Sequence, residues 1–467
     1  MKRRDLLKTS LAGGSLLPFV SNAKSPQEKS DNLLKNYLKG TEILRQGPLI
    51  NFEQAYRVMH EEELDGLIVS DPVNLYYFTG YYDHLGFRFN APTAFALLSK
   101  DEKKPLSIVM NQFIYYFSVT DSNFNWDIDT YLFTGWDKKI GENKDSSMIK
   151  EPQASPSLIW KNHGEHPVDE IELNRLGKLN DVIKDIPESV DVQWALTKAI
   201  KNLELDSGCI GIDHSVIKNI IENSRMKSIT LDADHALRKI RIIKSFREIE
   251  LMKIAAQSNA EAALAAVKQV KMGATYHDLK SIYFRECSMR GNIPYLLQMN
   301  TVNSEVFNRE FKDGDAFMID AVSQGFHYTG DYGRTIFIGE PKKSMINATK
   351  AIAIGWDAVR EKLKPGLRYS EIRKIGRDAI KKAGFDYGCP VTPHSVGLFH
   401  TDEPGKGGAG AYWEKDDLIL QENMIISVDM PVLNTGIGGS AHLEDLTLIT
   451  KDGGEQINDI GNRTIIV

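Results

Sequence analysis

The chain has 467 residues, too many for one ordinary hydrophobic core, so two domains are expected. It is 42% hydrophobic and 26% charged, a globular composition, and its net charge of −6 offers no electrostatic case for a nucleic-acid partner. No apolar run after the N-terminus is long enough to span a membrane. Three cysteines at wide spacings, Cys209, Cys287 and Cys389, form neither a disulfide framework nor a CxxC metal site and read as small buried hydrophobes.

In chain order, residues 1–23 come first. Lys2, Arg3 and Arg4 lead into a short, weakly apolar stretch ending at Ser21-Asn22-Ala23, the order of parts of a signal peptide. Arg3-Arg4 ahead of Asp5-Leu6-Leu7-Lys8 resembles a twin-arginine export signal, so a periplasmic location is expected. Residues 24–50 read as a polar linker with room for a short helix. From 51 to about 235, apolar runs such as Gly66–Ser70 and Ser107–Met110 alternate with helical stretches, giving an α/β domain. Between those two runs, VNLYYFTGYYDH reads as an aromatic-rich loop, and residues 136–160 are polar and irregular.

The remaining residues, 236–467, form the second expected domain. It opens on a long helix whose apolar face carries Ile249, Met252, Ala256, Ala260, Ala263 and Val267, with Gly273 as a stop. A repeat follows. KMGATYHDL at 271–279 matches KPGLRYSEI at 364–372 with a constant offset of 93, and a further glycine, Gly291 or Gly384, lies 18 residues past Gly273 or Gly366. Helix, turn, helix and strands therefore occur twice, which predicts one domain of approximate two-fold symmetry with a cleft where its sheets meet.

The acids of this domain sit on strand-like runs. Residues 316–322 and 331–338 read as a hairpin, with Asp320 sharing a face with Met318 and Val322. Asp331 lies on the second arm, where it faces either the site or its neighbour Arg334. In the second half Asp429 interrupts the apolar run IISVDMPV, and HLEDLTLIT places His442, Glu444, Leu446 and Leu448 on one strand face. Four buried carboxylates cannot all be charged without cations, and a pair of divalent metals resolves the conflict. His394 and His400, six residues apart in a Gly-containing segment between the acidic pairs, are the imidazole candidates. Oxygen donors with an imidazole suit manganese, cobalt, iron or zinc.

The order Asp, Asp, His, acid, Glu resembles that of the pita-bread metallopeptidases, which include methionine aminopeptidase, Xaa-Pro aminopeptidase, prolidase and the non-metal relative creatinase. RKIRIIKSFREIELMKIAA resembles the lead-in to their catalytic domain. MIDAVSQGFHYTGDYGRT resembles "DxG…SDxTRT", HSVGL resembles "HGIGL", HLEDLTLIT resembles "RIEDTVLVT", and YYFTGYY resembles the "RYLTGF" segment of the creatinase-type N-terminal domain. The resemblance covers residues 51–467 and implies an α/β creatinase-type domain followed by a pita-bread catalytic domain. It implies Asp320, Asp331, His394, Asp429 and Glu444 as ligands of two divalent ions, manganese foremost. Asp429 would shuttle the proton, and His400 and His442 would contact substrate. The implied reaction is removal of an N-terminal residue from a short peptide, as by Xaa-Pro aminopeptidase, in a homodimer.

The sequence departs from the pattern in several places. Asp429 stands for the usual Glu, His442 for the Arg of "RIED", Gly333 for the first Thr of "TRT", Val322 for the Gly of "DxG", and Asn303 for a substrate-binding His. The spacing from His394 to His400 is six where the pattern has seven. Because these changes concentrate in the pocket, two other readings stay open: a non-peptidase enzyme on the same cage, as in dimethylsulfoniopropionate lyases, and a binding protein without catalysis.

Overall fold

In the N-terminal half, apolar residues alternate between two buried sides of one sheet. The computed structural model describes residues 26–121, 128–135, 151, 154, 164–300, 304–405, 417–461 and 463–467. The leader at 1–23 and Asn303 lie outside them, as does most of the irregular stretch 136–160. The six strands are β1 (Gly66–Val69), β2 (Ala94–Ser99), β3 (Leu106–Asn111), β4 (Ile128–Phe133), β5 (Cys209–Ile212) and β6 (Ile229–Asp232), in the order β4-β3-β2-β1-β5-β6. Leu67, Val69, Ala96 and Met110 enter one core, whereas Ile68, Phe95, Leu97 and Val109 enter another. Burial on both faces is why these strands read as unbroken apolar runs.

The helices of this half are α1 (Pro26–Leu44), α2 (Phe52–Glu61), α3 (Pro72–Thr79), α4 (His84–Phe89), α5 (Gln112–Ser118), α6 (Glu170–Asp185), α7 (Val192–Asn202), α8 (Ser215–Asn223) and α9 (Asp234–Arg241). One expectation is extended here and another changes. The expected linker contains the 19-residue α1, which docks on the second domain through a Lys39–Glu250 ion pair of 3.0 Å and a Tyr37–Phe326 ring stack of 5.1 Å. The aromatic stretch is not a loop, because α3 and α4 occupy most of it. Asp71 caps α3 by accepting from Val73 N, Pro72 stands in its first turn, and Gly80 ends it in the left-handed conformation. Local capping thus outweighs the poor helix propensity of tyrosine and phenylalanine.

The second domain contains α10 (Phe246–Val267), α11 (Tyr276–Met289), β7 (Ile293–Met299), β8 (Ala316–Gly325), β9 (Tyr328–Phe337), α12 (Lys343–Arg360), α13 (Tyr369–Lys382), β10 (Thr392–Ser395), β11 (Ile425–Asp429), β12 (Thr447–Thr450), β13 (Gly453–Gln456) and β14 (Thr464–Ile466). The repeat is present in three dimensions. Tyr276 and Tyr369 open 14-residue helices, Asp278 and Glu371 each close a capping box, and Gly273 and Gly366 sit at φ +89° and +92°. Each turn is tied the same way to the chain ahead: Gly273 N and Tyr276 N donate to Phe311 and Arg309, while Gly366 N and Tyr369 N donate to Leu420 and Leu418.

Helices α10 and α11 cover one side of the sheet β14-β9-β8-β7, and α12 and α13 cover one side of β10-β11-β12-β13. Phe317 and Ile319 enter the first helix-packed core, and Ile426 and Val428 the second. By alternation, Asp320 on β8 and Ser427 and Asp429 on β11 face away from the helices. The two sheets are stitched by a reciprocal pair of hydrogen bonds, Gly333 N to Glu444 O and Glu444 N to Gly333 O, each 3.2 Å. The acids gather at this seam. The expected strand through HLEDLTLIT is consequently interrupted: β12 begins only at Thr447, because the backbone at Glu444 pairs across the seam with β9.

Candidate metal centre

The hairpin β8–β9 pairs Asp320 with Gly333 and Val322 with Asp331. Residues paired in an antiparallel ladder share a face, so Asp320 and Asp331 project together. From the other sheet, β10 pairs with β11 so that His394 lies opposite Ser427 and Thr392 opposite Asp429. Across the seam, one donor atom each from Asp331, His394, Asp429 and Glu444 falls within 4.8 Å of the others, and Asp331, His394 and His400 form an overlapping cluster. His394 Nε2 stands 3.7 Å from each of Asp331 Oδ2, Asp429 Oδ1 and Glu444 Oε1. His400 Nε2 approaches Asp331 Oδ2 to 3.1 Å, and its ring lies 5.0 Å from that of His394. Asp320 sits outside the tightest cluster but feels the charges of Asp331, Asp429, His400 and His394.

The electrostatics are those of a cluster short of positive charge. Burial, then Asp331 and Asp429, push Asp320 up to about 8. Burial, then the same two acids, raise Glu444 well above the carboxylate range. Burial also opposes ionisation of Asp331, but His400 outweighs it and holds that carboxyl low. Asp429 is likewise held low against its burial, by Glu444 and His394. The imidazole of His400 is lifted to about 9, because Asp331 overcomes the burial penalty. Without a cation, therefore, the acids can coexist only by sharing protons.

These residues fit a divalent metal centre. Asp320 Oδ1 and both ring nitrogens of His394 are buried without a hydrogen-bond partner, and a metal would take the Asp320 oxygen and one of the two nitrogens. The donor set is mainly carboxylate with an added imidazole. Asp320, Asp331, His394, Asp429 and Glu444 would hold the metal, and Ser427 Oγ, donating to Glu444 Oε1 at 2.5 Å, orients one ligand from behind.

Arg334 does not pair with Asp331. Its guanidinium donates to Asp445 Oδ1 at 2.7 Å and to the Glu444 carbonyl at 2.8 Å, while stacking on Tyr332, so Asp331 remains directed at the site. His442, expected to contact substrate, has a side chain only 3% exposed and lies behind Glu444 with Nε2 3.6 Å from Oε2. His400 is the open one, at 41% exposure.

Sequence reading missed the latch that holds His400. Arg241 at the end of α9 forms a buried bidentate pair with Asp402, two residues past His400, at 2.9 and 3.1 Å. Arg238 and Arg241 stack over Phe399 at 5.2 and 5.4 Å, and Ser395 N donates to Glu403 Oε2 at 2.8 Å. Arg241 also donates to Asn74 on α3, so the latch ties the first domain to the His400 segment. The acids Asp402-Glu403 directly after His400 and the basic run from Arg238 to Lys244 were the available signal.

Residues 250–451 match the model of metallopeptidase family M24, and residues 52–131 match that of the creatinase/prolidase N-terminal domain. The second half of this chain is a pita-bread domain of metallopeptidase family M24. Together the matched regions span more than half the chain. The chain is similar to the Xaa-Pro dipeptidase of Pyrococcus furiosus, at 25% identity over 280 residues, 55% of this chain and 74% of that protein. The fold is that of the X-Pro aminopeptidase from Thermotoga maritima (TM-score 0.63, 15% identity, 88% of this chain and 100% of that one). It is also that of the prolidase from Pyrococcus horikoshii (TM-score 0.59, 18% identity, 87% and 97%).

Proposed function

We propose that this protein is a metal-dependent exopeptidase that hydrolyses the bond before proline in short peptides, with Xaa-Pro dipeptides as its main substrates. The observation that carries the reading is the Asp331–His394–Asp429–Glu444 cluster with His400 standing over Asp331. The curated relatives named Xaa-Pro dipeptidase favour a dipeptide over the longer substrates of the aminopeptidase expectation. A divalent cation at the cluster supplies Lewis acidity and a water acidic enough to act near neutral pH.

The chain's own residues do the rest. His400, exposed and charged beside Asp331, is placed to donate a hydrogen bond to a peptide carbonyl as negative charge develops on its oxygen. Asp429, 28% exposed, stands at the end of β11, where a carboxylate can take a proton and pass it to the departing amine. Ser427 keeps Glu444 in one orientation.

Incubation with a panel of Xaa-Pro dipeptides and Xaa-Pro-Xaa tripeptides, with bound metal measured alongside, tests the reading. Free proline is the expected product, manganese supports activity, and Asp331→Ala lowers kcat/KM by at least about 1000-fold, or 4 kcal/mol. Silence across the peptide panel from metal-loaded protein sinks the proposal. Export through the leader at 1–23 and assembly as a homodimer belong to the same proposal; cell fractionation and light scattering decide them.

A further inference from the structure

Among the described residues, the one buried imidazole left without work in the reading above is His442. Its side chain is 3% exposed, and neither ring nitrogen has a hydrogen-bond partner, although buried polar groups are nearly always paired. Its backbone is pinned on both sides by Thr335, whose hydroxyl receives from His442 N at 2.9 Å and donates to His442 O at 3.2 Å. The ring is thus held with Nε2 3.6 Å from Glu444 Oε2. That matches the spacing of His394 Nε2 from the three acids around it, 3.7 Å in each case. Donor atoms bound to one ion at about 2.0–2.2 Å stand roughly 3 to 3.5 Å from one another, so His394 lies near ligand spacing from three acids and His442 from one, Glu444, at the edge of the tight donor cluster.

Three departures from the family pattern meet at this place. Gly333 makes room: a Cβ there would lie 2.5 Å from His442 Nδ1 and 2.9 Å from Glu444 Cβ. Asp429 is one methylene shorter than the usual glutamate. His442 replaces an arginine, a fixed cation that cannot ligate, with a neutral nitrogen donor. Taken one at a time, these changes weaken the centre. Taken together, they exchange reach on the acid side for a nitrogen donor beside Glu444. A role in touching substrate needs access, which the buried position behind Glu444 does not provide.

We propose that His442 is a protein ligand of the divalent-metal centre, joining Glu444 and giving the site a second imidazole. The inference rests on the reading of the acid cluster as a metal centre. A second nitrogen donor moves the preference of an oxygen-rich site from manganese towards cobalt, iron or zinc.

Chelator-stripped full-length protein titrated with Co2+ provides the test, followed by calorimetry and by visible absorption of the bound ion. His442→Ala is expected to weaken one equivalent of Co2+ at least tenfold and to reduce the absorption band, while the thermal midpoint of the metal-free protein is kept or raised. In His442→Gly, added imidazole is expected to restore the band, which loss of packing alone would not allow. Co2+ binding and spectrum unchanged in both variants overturn the assignment while leaving the centre standing. Wild-type protein that binds no Co2+, or Asp331→Ala that binds it normally, overturns the centre and the assignment together.

Discussion

Asp429 and His442 have to be considered as a pair. The shortened acid lies at the end of β11 and the imidazole lies behind Glu444, so both bound the space beside the same carboxylate. Lengthening the acid with the ring in place crowds that space. Asp429→Glu alone is therefore expected to lower metal affinity about tenfold, as seen by calorimetry. Combining it with His442→Ala should be non-additive by at least about 1 kcal/mol, because the two residues share a partner. Additive effects would show that they act separately. Arg334 was legible in the sequence only as a cation near Asp331. Its true partner, Asp445, lies 111 positions away along the chain, and only the seam between sheets brings the two together.

At the scale of elements, the segment carrying His400 is the informative one. It has no regular secondary structure, yet buried charge holds it at both ends: Arg241 on Asp402, and the backbone of Ser395 on Glu403. Breaking a buried pair from one side leaves an uncompensated charge, which costs about 3–5 kcal/mol. Asp402→Asn should lower the unfolding free energy read from urea melts by that amount and depress kcat with bound metal unchanged, because it releases His400 while sparing the ligands. Loss of metal in step with activity would contradict the latch. The sequence offers His400 as a candidate but not what holds its segment, since Arg241 and Asp402 are 161 residues apart and along the chain each is an ordinary charge. By contrast, the repeat was readable because its parts are local: a positive-φ glycine, an aromatic first residue and a capping acid within six positions.

For the whole molecule, the centre sits where two sheets meet. Asp320 and Asp331 belong to one, His394 and Asp429 to the other, and Glu444 to the seam. Metal binding is thus coupled to the joining of both halves. Chelation should lower the thermal midpoint of the catalytic domain, by the equivalent of about 2.7 kcal/mol for metal held at 100 times its Kd; an unchanged melt on metal removal would refute the coupling. A second whole-molecule effect comes from Glu248, buried between the domains beside Lys244 and donated to by Tyr328 Oη at 3.1 Å. Burial, opposed by Lys244, pushes it from 4.5 up to about 7. A raised acid favours the folded state most below its unfolded value. Stability is then lost as pH rises from about 4.5 through 7, on the order of 3 kcal/mol for this group. Glu248→Gln should flatten that part of the profile relative to wild type, as read from urea midpoints at pH 5 and pH 8. Parallel profiles for the two proteins would exclude Glu248 as the source.

The sequence by itself determined the two-domain order, the doubled helix–turn–helix and the five acids and histidines that converge. Each of these is written in local periodicity, in turn chemistry or in the cost of burying charge. Only the tertiary structure decided that Arg334 serves Asp445, that Arg241 reaches across to Asp402 beside His400, and that His442 is buried beside Glu444. The two arginine pairings depend on contacts between residues more than 100 positions apart, and the seat of His442 depends on the space left by Gly333. Neither long-range pairing nor vacant volume leaves a periodic trace along the chain.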